Sequence, residues 1–249
     1  ATPLLQKGKD PDDFDFNKIE TPSVVRFNNM FHMYYTGVQT NLSGRLCIGH
    51  AVSSDGLTWE KDVNNPVIAP TDNYNDWNGA QTAEPGAVVY NNQIYLYFTA
   101  VGIRPGSESP EAYRTIGLAI SNDGSIFSEP IKILEQSVLY PATVNYEGYS
   151  TPCAIVMKNG MHLFFDVAKI CPDENPNWVQ VAVHHAVSED GKFNWMQDDK
   201  ALMVRSDFSW TKREIRAPSV IADENELKMY FAGDDIMNTG EWGIGLATT

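Results

Sequence analysis

The chain has 249 residues, 43% of them hydrophobic, and a formal net charge of −14. That charge excludes nucleic acid and anionic membranes as partners, since both require basic surface, and no apolar run reaches the roughly 18 residues of a membrane-spanning helix. Three cysteines, Cys47, Cys153 and Cys171, allow at most one disulfide and form no zinc-like cluster.

In chain order, the first short pattern is Thr2-Pro3-Leu4-Leu5, which matches Asn65-Pro66-Val67-Ile68 later on. Each lies 19 residues ahead of a proline, Pro22 or Pro85, that opens a longer pattern. Thr21-Pro22-Ser23-Val24-Val25 leads through Asn28-Asn29 into His32-Met33-Tyr34-Tyr35. Glu84-Pro85, Thr151-Pro152 and Ala217-Pro218 open three further copies, with the prolines 63, 67 and 66 residues apart. Four copies at a fixed period are the mark of a repeat architecture.

Each copy predicts four short strands. The first follows the proline as a near-continuous apolar run, expected to be buried on both faces. A tight turn rich in Asn, Asp and Gly follows, suited to the positive φ that hairpins need. The second strand is aromatic. The third contains Ile48-Gly49-His50-Ala51 or its counterparts at 116–119, 183–186 and 244–247. In three copies a Ser-x-Asp-Gly turn at 53–56, 121–124 or 188–191 then leads to a fourth strand, placed near 65–68 in the first copy and 129–133 in the second. The fourth copy stops before its outer strand, and Thr2–Leu5 is expected to supply it. The prediction is a single all-β domain over 1–249, a β-propeller of four-stranded antiparallel blades with four repeats visible and an N-terminal strand closing the last blade.

The turns between strands one and two and between three and four are tight and share one face. The other connections are long, and long loops on one face of a rigid scaffold are where function usually sits. The approach to each proline carries an aromatic or apolar residue eight positions ahead: Phe14, Trp77, Val144 and Trp210. These windows also hold Asp15, Glu20, Asp76, Glu84, Glu147, Glu214 and Arg216, while Asp166 and Asp234 end second strands. Carboxylates crowded on one concave site have their pKa values pushed apart. Cleavage of a glycosidic bond needs such a pair, one acid for the leaving oxygen and one base or nucleophile. His32, His50, His162, His184 and His185 fall on predicted strands without ligand spacing and are expected to be packed and hydrogen-bonded. Trp77, Trp210, Trp178 and Tyr149 suit stacking on sugar rings or plain packing equally. No phosphate loop, nucleophile elbow or metal motif occurs.

The combination Asn65-Pro66-Val67-Ile68, Asp76-Trp77, Glu84-Pro85 with its Tyr-rich hairpin, and Ser-x-Asp-Gly-x-x-Trp resembles the five-bladed β-propeller glycosidases, the arabinanases, β-xylosidases, invertases, levansucrases and their relatives. The resemblance covers nearly the whole chain. It implies acidic residues at the start of successive innermost strands: an Asp base or nucleophile, a second Asp, and a Glu general acid. Glu84, directly before Pro85, and Glu20, two before Pro22, occupy such positions. Thr151 and Ala217 take the equivalent place elsewhere, the latter beside Arg216. The family's first-blade Asp-Pro has no counterpart in register, Asp10-Pro11 being a dipeptide match only, and the family has five blades where four repeats are visible here.

The expected function is cleavage or binding of an oligo- or polysaccharide through paired carboxylates. Glu84 is the expected general acid, and Glu20 or Asp15 the base or nucleophile. Arg216, Trp77, Trp210, Asp166 and Glu147 are the expected substrate contacts, with Arg216 holding a hydroxyl or carboxylate or tuning a neighbouring acid. The alternatives are a non-catalytic carbohydrate-binding propeller and a glycoside phosphorylase, which would need a cationic pocket from Arg216, Arg213, Lys212 and Arg104. The expected partner is a carbohydrate. No cofactor is expected; calcium in an axial channel fits the architecture but is supported by no motif. The chain begins with Ala, not Met, so it is read as processed or trimmed. Compartment stays open, with extracellular or periplasmic slightly favoured.

Overall fold

The computed structural model describes residues 2–39, 45–103, 112–135, 146–174, 177–223, 226–235 and 242–249, with the side chains of Tyr146 and Glu147 excepted. The described residues are strands and turns throughout, with one 3-10 turn at Arg205–Asp207. None of their helices is long and apolar enough to cross a membrane. The chain divides into two compact units, Ala1–Ala112 with Gly117–Lys132, and Tyr113–Ile116 with Ile133–Thr249.

Unit 1 contains the sheet β1 (Lys18–Phe27), β2 (Met30–Val38), β3 (Leu46–Ser53) and β4 (Glu60–Lys61), antiparallel and in sequence order. A second antiparallel pair follows, β5 (Gln81–Tyr90) with β6 (Gln93–Ile103), next to β7 (Ala112–Ser121). The strand β8 (Ile131–Leu134) pairs with β7. Unit 2 holds β9 (Tyr146–Met157), β10 (Gly160–Ile170), β11 (Trp178–Ser188) and β12 (Met196–Gln197), again antiparallel, with β13 (Met203–Val204) also on β11. Its last sheet is β14 (Glu214–Asp223), β15 (Glu226–Asp234) and β16 (Trp242–Thr248).

Two expectations are corrected. The first strands are not the deeply buried ones: Val24 of β1 is 48% exposed. β1, β5 and β14 each lie at the edge of their sheet. The buried strands are the second ones, where Tyr34, Leu96, Phe98, Leu163 and Phe165 are fully or almost fully enclosed. Residues 2–5 also form no strand, and the last sheet has three strands among the described residues. The internal counterpart explains why: Val67 and Ile68 make a single bridge to Ile48, and the fourth strand of that sheet is the two-residue β4. A proline in the segment lacks the N–H that a longer ladder needs.

Each first strand is broken at its proline. Thr21, Glu84, Thr151 and Ala217, the residues before the four prolines, have φ of 50, 52, 48 and 54°. The pairing register slips there in every copy, between Glu20 and Ser23, Ala83 and Gly86, and Arg216 and Ser219, and opposite Phe164 to Asp166. A left-handed backbone on a non-glycine residue is strained and is retained only where its surroundings over-determine it. Here the same two stitches hold neighbouring sheets in each unit. In unit 1, Glu84 N donates to Thr36 Oγ1 at 2.8 Å and Ala87 N to Ser23 Oγ at 2.9 Å. In unit 2, Ala217 N donates to Asp166 Oδ2 at 3.1 Å and Val220 N to Cys153 Sγ at 3.2 Å.

The approach segments are locked by aromatic packing. Phe14 meets Tyr35 with centroids 6.0 Å apart, Trp77 meets Phe98 at 6.2 Å and Trp210 meets Phe231 at 5.6 Å. All three sit over a third-strand glycine: a Cβ on Gly49 would come within 2.4 Å of Phe14, on Gly117 within 2.8 Å of Trp77, and on Gly243 within 3.0 Å of Trp210. The Ser-x-Asp-Gly turns are equally regular. Asp55 Oδ1 accepts Leu57 N and Thr58 N, and Ser53 Oγ accepts Gly56 N; Ser121-Asp123-Gly124 and Ser188-Asp190-Gly191 repeat the pattern.

Candidate functional site

In unit 1 two of the expected acids are tied to Thr36, one by strand register and one by its backbone N–H. Glu20 stands opposite Thr36 in the β1–β2 ladder. Thr36, 1% exposed, shares a 2.7 Å hydrogen bond with Thr21 and accepts the backbone N–H of Glu84. The Glu84 carboxylate accepts Thr99 Oγ1 at 2.7 Å. Both glutamates are half-buried, and Glu20 also pairs with Lys18. Thr21 and Glu84 occupy the same place in their repeats, and only the second carries an acid. The left-handed turn fixes the direction in which that acid leaves the strand.

Asp15 is linked to a different set of groups. It is 2% exposed, its Oδ1 accepts Gly8 N at 3.1 Å, and its Oδ2 accepts Tyr35 OH at 3.0 Å and Lys61 Nζ at 2.5 Å. A carboxylate held this way anchors residues 8–15 to Tyr35 of β2 and Lys61 of β4. Asn78 and Thr211, seven residues before Pro85 and Pro218 as Asp15 is before Pro22, are buried as well. The position is a structural anchor in three repeats.

In unit 2, Asp166 is fully buried and accepts Ser150 Oγ, Thr151 Oγ1 at 2.5 Å and the Ala217 N–H. It holds the strand starts of this unit together. Trp77 and Trp210 are half-buried, each with its ring stacked on a phenylalanine, Phe98 and Phe231 respectively. The Glu147 side chain, Val144 and Arg104 lie outside the described residues.

The strongest electrostatic feature of unit 2 was not singled out by sequence. Glu214 is 2% exposed and stands opposite Asp234 in the β14–β15 ladder. Its Oε1 accepts Arg213 Nη1 at 2.5 Å, and the same nitrogen reaches Asp234 Oδ2 at 3.3 Å. Glu214 Oε2 is buried without a hydrogen-bond partner, 3.6 Å from Arg216 Nη1. Burial pushes the Glu214 carboxyl above its ordinary value; Arg216 and Arg213 pull it back, and Asp234 and Asp166 push it further up. In sequence Glu214 is one acid among several, and nothing there marks it as enclosed. Lys212 lies 3.6 Å from Asp235. The cations 212, 213 and 216 therefore each face a carboxylate.

The histidines are packed and hydrogen-bonded, as expected. His32 Nδ1 lies 3.0 Å from His50 Nε2, and His50 Nδ1 lies 2.8 Å from Asp62 Oδ2. His162, His185 and Asp198 repeat the chain at 2.9 and 3.0 Å. The three cysteines are free. Among the described residues no group of three or more His, Cys, Asp or Glu is placed to hold a metal ion.

The family model described as "Glycosyl hydrolases family 32 N-terminal domain" matches residues 16–146, a little over half the chain. No curated protein matches in sequence. Among solved structures, a thermostable family-43 glycoside hydrolase superposes with TM-score 0.69 at 16% identity, covering 93% of this chain and 71% of that one. An endo-arabinase from Bacteroides thetaiotaomicron gives 0.63 at 15% identity, covering 92% and 74%. An α-L-arabinofuranosidase from Lactobacillus brevis gives 0.67 at 12% identity, covering 98% and 76%. These likenesses show the fold, an all-β propeller of antiparallel sheets.

Proposed function

The chain belongs to the family of the glycosyl hydrolases family 32 N-terminal domain, and on that premise we propose that it is a glycoside hydrolase-like protein acting on an oligo- or polysaccharide, with Glu84 as general acid and Glu20 as base or nucleophile. The observation that carries this reading is the shared link to Thr36 at the pre-proline turns: Glu20 is its register partner across β1 and β2, and Glu84, with φ 52°, donates its backbone N–H to it. Strained backbone at an acidic residue is a pattern found at functional sites. Glu84 would protonate the leaving oxygen, and Glu20 would activate water or attack the anomeric carbon. Thr99 and Thr36 orient the acid through its carboxylate and its backbone. Arg216 in unit 2 is proposed as a ligand for a substrate hydroxyl or carboxylate.

Hydrolysis is favoured over phosphorolysis because Lys212, Arg213 and Arg216 each face a carboxylate and so offer little net positive charge to a phosphate. The test is a panel of aryl-glycosides and polysaccharides, assayed with and without phosphate. Turnover without phosphate, lost in Glu84→Gln and in Glu20→Gln, supports the assignment. Turnover unchanged in both variants overturns the site, phosphate-dependent turnover makes the protein a phosphorylase, and saturable glycan binding without turnover makes it a binding module.

A further inference from the structure

One turn of unit 1 works as a plug. Ser121-Asn122-Asp123-Gly124 and the aromatic Phe127 lie against the sheet β1–β4. Tyr34 OH donates to Gly124 O at 2.7 Å, Ser125 Oγ donates to Asp62 Oδ2, and Asn64 Nδ2 donates to Ser125 Oγ at 3.2 Å. The Phe127 ring meets Tyr34 edge-on, with centroids 5.6 Å apart, and packs against the cluster that includes Ile68, Ile94, Leu96 and Ala119. Gly124 is buried so closely that a Cβ on it would stand 2.4 Å from His32 Nδ1.

Unit 2 repeats the receiving surface without that turn. His162 and Phe164 stand 10 and 12 residues after Pro152, as His32 and Tyr34 stand after Pro22. Leu227 and Met229 stand 9 and 11 residues after Pro218, as Ile94 and Leu96 stand after Pro85. Met203 pairs with Val183 as Ile68 pairs with Ile48, each opposite the first residue of the third-strand motif. In unit 2 these positions line an open cavity of about 320 Å³, at the place where unit 1 seats Phe127. The fourth repeat carries no Ser-x-Asp-Gly sequence. The His-His-Asp chains register the difference: the Asp62 side chain, bonded by Ser125, is 10% exposed, and that of Asp198 is 41% exposed.

The chain also carries a second plug that is not seated in this way. Ser53-Ser54-Asp55-Gly56 followed by Trp59 repeats the 121–127 pattern. Leu57 at its tip is 69% exposed, and a Cβ on Gly56 would meet nothing nearer than the Phe31 ring at 3.7 Å. Its hydrogen bonding suits the cavity of unit 2. Trp59 Nε1 donates to Gly56 O at 3.1 Å, so this carbonyl already has the donor that Gly124 O takes from Tyr34. Phe164, in the place of Tyr34, has no hydroxyl to give. We infer that the Ser53–Trp59 turn of one molecule docks in the cavity lined by Phe164, Met203, Leu227 and Met229 of a second copy, with Trp59 seated as Phe127 is in unit 1. Each molecule brings one plug and one cavity, so the contact is heterologous and runs head to tail or closes into a ring. A seven-residue turn buries less than the roughly 1,200 Å² at which stable interfaces begin, so the association is weak.

Sedimentation velocity from about 10 μM to about 1 mM, the range of weak contacts, tests this. The average mass of the wild type should rise with concentration beyond that of a dimer. Leu57→Asp alters the exposed tip of the plug, and Leu202→Asp alters an exposed residue on the wall of the cavity. Each places a charge in the apolar contact, and each alone should stay monomeric; thermal melts confirm that both are folded. Mixed in equal amounts they should form dimers and nothing larger, because the first variant keeps its cavity and the second keeps its plug. A wild type that is monomeric throughout, a single variant that still associates, or a mixture that stays monomeric overturns the inference. A monomeric wild type that binds the free peptide of residues 53–59 would assign the cavity to another polypeptide and overturn the second copy as its occupant.

Discussion

Asp15 and Glu20 lie five residues apart in the same approach segment, and the structure gives them opposite duties. Asp15 is enclosed by Gly8, Tyr35 and Lys61, whereas Glu20 is half-buried beside the strained Thr21 turn. Asp15→Asn should leave KM unchanged and lower stability by about 1–3 kcal/mol, the cost of a buried partner that no longer matches its donors, as read from denaturant midpoints. A fall in kcat at unchanged stability would return Asp15 to the catalytic set. Glu84→Gln should do the reverse, leaving the melting temperature near that of wild type and reducing kcat by about 10²–10⁴-fold. At this scale sequence was a partial guide. It marked the acids by their distance from a proline, and it placed Glu84 and Glu20 at strand starts. It could not separate an acid facing a ligand from an acid anchoring a loop, because both are short polar side chains in the same window. A signal for Asp15 was present but unused: Asn78 and Thr211 at the equivalent place are polar without being acidic, which fits an anchor better than a catalyst. Glu214 carried no such signal, since its burial comes from three strands that meet only in the fold.

At the scale of the element, the repeat explains more than any single motif. The Asn28-Asn29 and Asn91-Asn92 turns adopt the positive φ expected of them, and Gly56, Gly124 and Gly191 do so in the Ser-x-Asp-Gly turns. Strand order within each sheet follows from those turns, because a tight turn leaves antiparallel pairing as the only option. Burial did not follow in the same way. An apolar run after the proline reads as an interior strand, yet the chain spends its greatest enclosure on the aromatic second strand, where Tyr97, Phe98 and Leu96 are fully covered. The glycine of the third strand is the counterpart of that choice. Its missing side chain is the space that Phe14, Trp77 or Trp210 fills. Gly117→Ala would place a methyl 2.5 Å from Phe98 and 2.8 Å from Trp77, and neither ring is the free end of a flexible chain. The variant should lose about 1–3 kcal/mol, as overpacked sites do, and show altered tryptophan emission. An unchanged denaturation midpoint would mean that the aromatic lock is not tight.

Across the whole molecule the titrating groups predict two separate losses of stability on acidification. Burial holds His32, His50, His162 and His184 below the usual histidine value, with the neighbouring imidazole adding to the effect on His32 and His162. A histidine depressed in the folded state binds fewer protons than in the unfolded chain, so its contribution is complete above the ordinary value of about 6.5 and is lost as pH falls through the lower folded value. The turn carboxylates act further down. Backbone N–H donors hold Asp55 at about 2 and keep Asp123 and Asp190 below the ordinary range. Their contribution is complete above the unfolded carboxylate value of about 4 and disappears as pH falls towards the folded one. The melting temperature should therefore be level near neutrality, fall once below about pH 6.5, and fall again below about pH 4. Replacing His32, His50, His162 and His184 together by Gln removes the four depressed imidazoles and should flatten the first fall without moving the second. Asp55→Asn, Asp123→Asn and Asp190→Asn together should flatten the second without moving the first. A single fall that both sets of variants move alike would show that the relays and the turns unfold as one titrating system, and that the separation argued from their different environments is wrong.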